Sequence, residues 1–159
     1  MQLRSVLAVA AALAVAACGS DSSNSTEPPP GALNGSMSAT VDGVAWTATL
    51  AVQAGYANGI LAFAGVDANN TTIAIALAPT APGEYPIGLT QPTNASYSIA
   101  GGQARVWQAA ATQGSGSVEI DSLTATSAAG TFHFELPAIE SSGATGTESI
   151  TNGKFSVKF

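Results

Sequence analysis

The chain has 159 residues, of which 46% are hydrophobic and only 9% are charged, far below the usual charged share of about 25%. Its four Lys and Arg residues and its net charge of −6 exclude nucleic-acid binding and adsorption to an anionic membrane through a basic patch, because both need a row of cations. The polar surface must then consist of Ser, Thr, Asn, Gln and Gly, a composition that favours the exposed β-sheets of a secreted protein.

The first 17 residues have the features of a secretion signal. Arg4 supplies a positive charge, and the apolar stretch at residues 6–17 is too short to span a bilayer but has the length of a signal-peptide core. The stretch ends in VAAC at residues 15–18, which resembles the lipobox of bacterial lipoprotein precursors. The resemblance implies that the thiol of Cys18 receives a diacylglycerol and that cleavage makes Cys18 the first residue of the mature protein.

Cys18 is the only cysteine, so disulfides, thiolate metal sites and a catalytic thiol are not expected. The next residue is Gly19 rather than the Asp that favours inner-membrane retention, and the lipoprotein resemblance therefore implies the outer membrane. The sequence leaves open whether the protein faces the periplasm or the outside. Residues 18–32, rich in Ser and Pro, predict a flexible tether between the lipid and a domain at residues 33–159.

From residue 33 onward, alternating apolar and polar residues separated by turn signals predict antiparallel strands. Asp42-Gly43 and Asn58-Gly59 predict tight hairpins, and Asn152-Gly153 predicts the turn before a closing strand. About nine or ten short strands are expected, which is typical of a single antiparallel β-sandwich or a partly open barrel. The β-prone segments are 36–41, 44–50, 51–57, 60–66, 71–77, 96–100, 104–110, 118–123, 130–136 and 154–159, and the Pro-rich stretch between 77 and 96 has room for a further short strand at 85–89.

Three segments together carry a family resemblance: VDGVAWTAT at 41–49, GSVEIDSLTATSAAGTFHFEL at 116–136 and ITNGKFSVKF at 150–159. They resemble a family of small secreted bacterial lipoproteins with a β-sandwich-like domain of unknown function. The resemblance implies an all-β fold whose early hairpin ends in a Trp and whose last hairpin contains Asn-Gly-Lys-Phe. It implies no activity and transfers no functional residue.

Catalytic chemistry has few candidates in this sequence. His133 is the only histidine, and alternation places it on the polar face of its strand, where a solvent-exposed role outweighs that of a general base. Glu119 and Asp121 project from one face of a strand, as a pair of glycosidase carboxylates must, but an exposed strand explains the spacing equally well. We therefore expect no enzyme, and we keep a hydrolase only as the weakest alternative.

A metal or cofactor is not expected either. A single histidine without a free thiol cannot build a usual zinc site. Asp67, Asn69 and Asn70 offer oxygen ligands for calcium, but the same residue types are those that a tight turn requires, and the turn is the favoured interpretation.

The aromatic residues are the remaining candidates for binding. Trp46 shares a face with apolar neighbours and is expected in the core. Trp107 shares a face with Arg105 and Ala109, a mixture that would suit a surface platform. Trp107, Arg105 and Tyr97 therefore form a possible platform on which a sugar ring or a peptide could stack. The sequence predicts a lipid-anchored, non-catalytic recognition module for a glycan or protein ligand, with a structural envelope lipoprotein in a protein complex as the alternative.

Overall fold

The computed structural model describes residues 33–90 and 92–159. The predicted signal peptide at 1–17, the lipidation residue Cys18 and the predicted tether at 18–32 lie outside the described residues. Within them, eleven β-strands and one short 3-10 turn, Glu140–Ser142, account for the regular structure. The strands are β1 (Gly35–Val41), β2 (Val44–Thr47), β3 (Ala51–Ala57), β4 (Ile60–Val66), β5 (Thr71–Leu77), β6 (Gly83–Pro86), β7 (Asn94–Ile99), β8 (Arg105–Ala109), β9 (Ser115–Leu123), β10 (Ser127–Pro137) and β11 (Thr147–Lys158).

The strands form two antiparallel sheets that pack face to face, which confirms the predicted all-β fold as a sandwich rather than a barrel. The six-stranded sheet has the order β2-β1-β11-β10-β9-β6, and the five-stranded sheet has the order β3-β4-β5-β7-β8. The chain crosses between the sheets after β2, on both sides of β6 and again after β8. The structure describes no helix long and apolar enough to cross a membrane.

Two hairpins follow directly from local sequence. Asp42 and Asn58 have φ values of 46° and 52°, and the glycines that follow them have values of 80° and 78°. Positive φ at both central positions is the geometry of the type I′ turn, which Asp-Gly and Asn-Gly adopt at little cost and which matches the twist of paired strands. The sequence prediction of these two turns is confirmed.

The prediction of a third turn at Asn152-Gly153 is wrong, because β11 runs through these residues without reversing. Asn152 has a φ of 52° but forms a bulge, at which the pairing of β11 shifts register against β1 and β10 alike. A methyl group at Gly153 would overlap the ring of Phe132, so glycine serves here for close packing. Local sequence does not separate this bulge from a hairpin, since both use a residue in the left-handed region followed by glycine.

The core lies between the sheets and is built from the inward-facing residues of each strand. Phe63 of the five-stranded sheet stacks on Phe155 of the six-stranded sheet with ring centroids 4.4 Å apart. Trp46, buried as predicted, donates its indole N–H to the hydroxyl of Thr71 at 2.9 Å and thereby joins the two sheets by a hydrogen bond. This bond satisfies the indole N–H and the hydroxyl, two polar groups that would otherwise be buried without a partner.

Candidate functional site

The predicted aromatic platform is not on the surface. Trp107 and Tyr97 are only 3% and 7% exposed, because β7 and β8 turn these side chains towards the opposite sheet, where the two rings lie 5.8 Å apart. The chain after β10 covers this edge, and Trp107 donates its indole N–H to the carbonyl of Thr145 at 3.1 Å. The expectation of an exposed stacking surface at these residues is therefore corrected.

Arg105 alone among the three remains exposed. Its guanidinium carbon lies 5.7 Å from the centroid of the Trp107 ring, which is the distance of a cation–π contact. Burial raises the pKa of the Tyr97 phenol above its ordinary value. The Tyr97 and Trp107 rings are therefore part of the packed edge of the sandwich, and only Arg105 reaches its surface.

The carboxylates and the histidine considered for catalysis lie on the outer face of the six-stranded sheet. His133, Glu119 and Asp121 are all exposed, and the outward residues of GTFHFEL alternate with buried Phe and Leu as predicted. None of the three lines the groove described below. Among the residues that the structure describes, no group of three His, Cys, Asp or Glu side chains is placed to hold a metal ion.

In the oxygen-rich turn between β4 and β5, the Asp67 carboxylate accepts hydrogen bonds from the turn itself. One carboxylate oxygen of Asp67 accepts the N–H of Asn69 at 2.9 Å and the N–H of Thr71 at 2.8 Å, while the other accepts the side-chain amide of Asn69 at 3.2 Å. Burial raises the pKa of this carboxyl, but the hydrogen bonds from Thr71 and Asn69 outweigh burial, and the pKa lies below its ordinary value of 3.8. The turn interpretation is confirmed.

A concave surface does occur on the outer face of the five-stranded sheet. It is a groove of about 750 Å³ whose floor consists of four alanines on β4 and β5. The register places Ala62 opposite Ala76 and Ala64 opposite Ala74, so their methyl groups lie together on one face of the sheet. We call this feature the alanine groove.

Polar but uncharged side chains border the alanine groove. Gln53 of β3 pairs with Ala64, and Ser96 and Asn94 of β7 pair with Ala74 and Ala76 on the opposite side. The floor is low because methyl groups lie between longer amide side chains. Such a surface offers van der Waals contact in its centre and hydrogen bonds at its margins.

Charge is divided unequally between the two sheets. Strands β3, β4, β5 and β7 contain no charged residue, and Arg105 is the sole charged residue of β8. On the six-stranded sheet, by contrast, a single cross-strand row contains Glu84, Glu119, Thr131 and Lys154. The alanine groove therefore lies on the uncharged face of a protein with a net charge of −6.

At the β3 end, the alanine groove reaches two aromatic rings that sequence reasoning had not selected. Tyr56 is 40% exposed and its ring lies 5.5 Å from that of Phe159. The sequence feature that corresponds to the groove is the alternation of residues 71–77, in which alanines occupy every outward position except the first. Alanine occurs equally in cores and on surfaces, so this signal became informative only once the strands were placed side by side.

The comparisons with known proteins add a family but no activity. No curated protein and no solved structure matches the chain. The family described as "Domain of unknown function (DUF6252)" matches residues 34–157, a range that includes both sheets and the alanine groove. The chain therefore belongs to the DUF6252 family.

Proposed function

We propose that this protein is a lipid-anchored lipoprotein of the outer membrane, the location that Gly19 favours, and that it recognises a protein ligand without catalysis. The observation that carries the proposal is the alanine groove on an uncharged sheet face. An exposed face made of alanine, serine and amide side chains can approach another polypeptide closely, because no long side chain must be desolvated or moved.

A protein ligand is favoured over a glycan by the position of the aromatic residues. Sugar recognition on a sheet commonly uses an aromatic ring as a stacking surface, and the candidates Trp107 and Tyr97 are buried. The outward positions of β4, β5 and β7 contain no aromatic residue. The two rings at the β3 end of the groove, Tyr56 and Phe159, lie against each other at 5.5 Å and are not part of the alanine floor. The ligand surface is expected to be neutral as well, since a charged group placed over the alanine groove would lose water without gaining an ion pair.

Photo-crosslinking tests the site in the cell envelope. A benzoylphenylalanine at Ala64, in the floor of the groove, is expected to form a protein adduct of discrete mass, and a second substitution, Ala74→Arg, is expected to abolish it. The matched control is a benzoylphenylalanine at Thr131, which is exposed on the opposite sheet. Adducts that form equally from both faces, or that persist with Ala74→Arg, contradict the proposal.

A glycan arm accompanies this test. The chain is mixed with an insoluble neutral polysaccharide such as cellulose and sedimented. If it cosediments, loses this binding on Ala74→Arg and forms no protein adduct at Ala64, the ligand is a glycan and not a protein. The expected result is no cosedimentation above that of the variant.

The lipid anchor is tested separately. Cys18→Ser should abolish incorporation of labelled palmitate and leave the protein out of the membrane fraction, because the thiol is the acceptor that the lipobox resemblance implies. Several acyl chains on one residue give firm attachment where a single chain does not. A Cys18→Ser protein that still fractionates with the outer membrane would refute the anchor, while leaving the alanine groove untouched.

A further inference from the structure

Strand β3 is a long edge of the sandwich that lacks the usual protection. The opposite edge of the same sheet, β8, is covered where the Ile139 N–H donates to the Val106 carbonyl at 2.9 Å. The edges of the other sheet, β2 and β6, have four residues each, and β6 contains Glu84 and Pro86. Strand β3 has seven residues and contains neither a charge nor a proline, and natural edge strands of this length normally carry one or the other.

The hydrogen-bonding groups on the free side of β3 can be identified from its one outer contact. The carbonyl of Val52 accepts the N–H of Asn34 at 2.9 Å, so the polar groups of Val52 point away from β4. Because these groups alternate in direction along a strand, those of Ala54 and Tyr56 point outward too. Neither residue has a backbone partner on that side in the described parts of the chain.

We propose that β3 pairs with β3 of a second copy of this chain, antiparallel and about a two-fold axis at Gly55. In this register Ala54 lies opposite Tyr56 of the second copy, and the two pairs exchange four backbone hydrogen bonds. Gly55 faces its own counterpart in the closely spaced, non-hydrogen-bonded position. A methyl group at Gly55 would meet nothing within 4 Å in a single copy, so the sheet face at this position has room for a larger side chain.

The unpaired stretch of β3 is bounded at both ends. At one end the bridge from Leu33 to Val52 occupies the edge, and at the other end the Asn58-Gly59 turn leads the chain back into β4. Two-fold pairing at Gly55 places the turn of each copy opposite the occupied end of the other. The Asn34 N–H occupies the Val52 carbonyl beside Gln53, so Ala57 of the second copy can lie against Gln53 only when the Leu33–Asn34 segment moves away from the edge. The pairing therefore replaces this contact at both ends of the paired stretch.

Charge favours a second copy over a charged partner. Two copies of a protein with a net charge of −6 repel each other over most approaches. The strands of the five-stranded sheet contribute only Arg105, in the strand at the far edge from β3, so pairing along β3 brings no charged strand residues of this sheet together. A strongly basic or acidic peptide would find no counter-charge in β3 or β4.

This pairing would also join the two uncharged faces into one continuous surface. Gln53 of the second copy would lie beside Ala57, and each alanine groove would be extended across the axis. The pairing does not depend on the proposed protein ligand, because it uses backbone groups at the edge and not the floor of the groove.

Disulfide trapping in membranes that contain the full chain tests the pairing. Gly55→Cys places two thiols at a pair of positions whose Cα atoms are about 4.5 Å apart, within the range of about 4.4–6.8 Å that a disulfide needs. We expect Gly55→Cys to give a band of twice the monomer mass on non-reducing gels after mild oxidation. The unsubstituted chain, whose one thiol is Cys18, measures the background.

Two matched variants on the same strand and face test the register. Gln53→Cys and Ala57→Cys are each displaced from their own counterparts by four residues, about 14 Å along the strand, and neither should crosslink by itself. Each faces the other across the axis, so differently tagged Gln53→Cys and Ala57→Cys chains expressed together should form a mixed disulfide. Both positions are exposed, and the variants are expected to fold.

Each outcome of these crosslinking tests either supports or contradicts the pairing. A doubled band from Gly55→Cys with the mixed band from the 53 and 57 pair supports the pairing. No band above background from Gly55→Cys, equal bands from Gln53→Cys alone, or crosslinking of Gly55→Cys to a different protein overturns it. A two-fold pair that forms while the Ala64 crosslinker finds no ligand would leave the pairing standing and remove the proposed function.

Discussion

The turn between β4 and β5 depends on one carboxylate, and its removal should be costly. Asp67 is buried, and one of its oxygens accepts the N–H groups of Asn69 and Thr71 at 2.9 and 2.8 Å. In Asp67→Ala both donors lose their acceptor. Asn69 is exposed, so its N–H can bind water instead, whereas Thr71 is buried and its N–H cannot.

The expected loss comes mainly from the Thr71 N–H. An unsatisfied buried donor costs about 1–3 kcal/mol, so Asp67→Ala should lower the free energy of unfolding by about 2 kcal/mol. For a domain of this size this corresponds to a fall in Tm of about 6–10 °C. Asp67→Asn retains an acceptor oxygen and should lose less than half as much.

Urea denaturation followed by tryptophan fluorescence measures this loss, since Trp46 and Trp107 are buried and report on the core. Asp121→Ala removes an exposed carboxylate and serves as the matched control, with an expected change within about 0.5 kcal/mol. If Asp67→Ala is no more destabilising than the control, the hydrogen bonds of the turn do not stabilise the fold as argued.

The same carboxylate predicts a pH dependence. The pKa of Asp67 is below its ordinary value of 3.8 in the folded protein, so the folded state favours the ionised form. Its contribution to stability is complete above the unfolded pKa and is lost as the pH falls through the folded pKa. The difference in free energy of unfolding between wild type and Asp67→Asn should therefore shrink as the pH is lowered below about 4, and a difference that stays constant down to pH 2 would contradict the assignment.

Three further substitutions test other parts of the sandwich. Burial, followed by the neighbouring Asp42 carboxylate, raises the pKa of Glu148 above its ordinary value of 4.5, so ionisation of this group opposes folding. Glu148→Gln should therefore stabilise the protein at pH 7, by less than about 1 kcal/mol because the group is partly exposed. The gain should be absent below pH 4.5, where the carboxyl is protonated in both states. Gly153→Ala would drive a methyl group into the ring of Phe132 and should cost about 1–3 kcal/mol, measured by urea denaturation; a neutral effect would mean that the bulge relaxes freely. The hydroxyl of Thr93 is buried without a partner among the described residues, so Thr93→Val should raise Tm by stabilising the fold by about 1 kcal/mol, and a lower Tm would show that the hydroxyl is satisfied.

Local sequence predicted the strands well because strand signals are short-range. The alternation in 71–77 and 130–136 depends only on the period of two with which side chains change face. The type I′ turns at Asp42-Gly43 and Asn58-Gly59 depend only on residues that tolerate positive φ. These features need no knowledge of the partner strand.

Predictions that required the partner strand were less successful. The expected short strand at 85–89 occurs as Gly83–Pro86, where β6 pairs with β9. Arg105 beside Trp107 suggested a surface position, but β8 at the edge of its sheet allows Arg105 to reach solvent while the indole is covered by the chain around Thr145. Amphipathic edges of this kind mix exposed and buried residues on one face.

The sequence by itself determined the strand segments, the inward and outward residues of most strands and the scarcity of charge. Only the tertiary structure decided that Trp107 and Tyr97 are buried, that Asn152-Gly153 is a bulge, and that four alanines from two strands form one floor. It also decided that, among the described residues, Ala54 and Tyr56 of β3 have no backbone partner on their outer side. The physical reason is that side-chain direction is set within a strand, whereas burial, register and free hydrogen-bonding groups depend on which strands become neighbours.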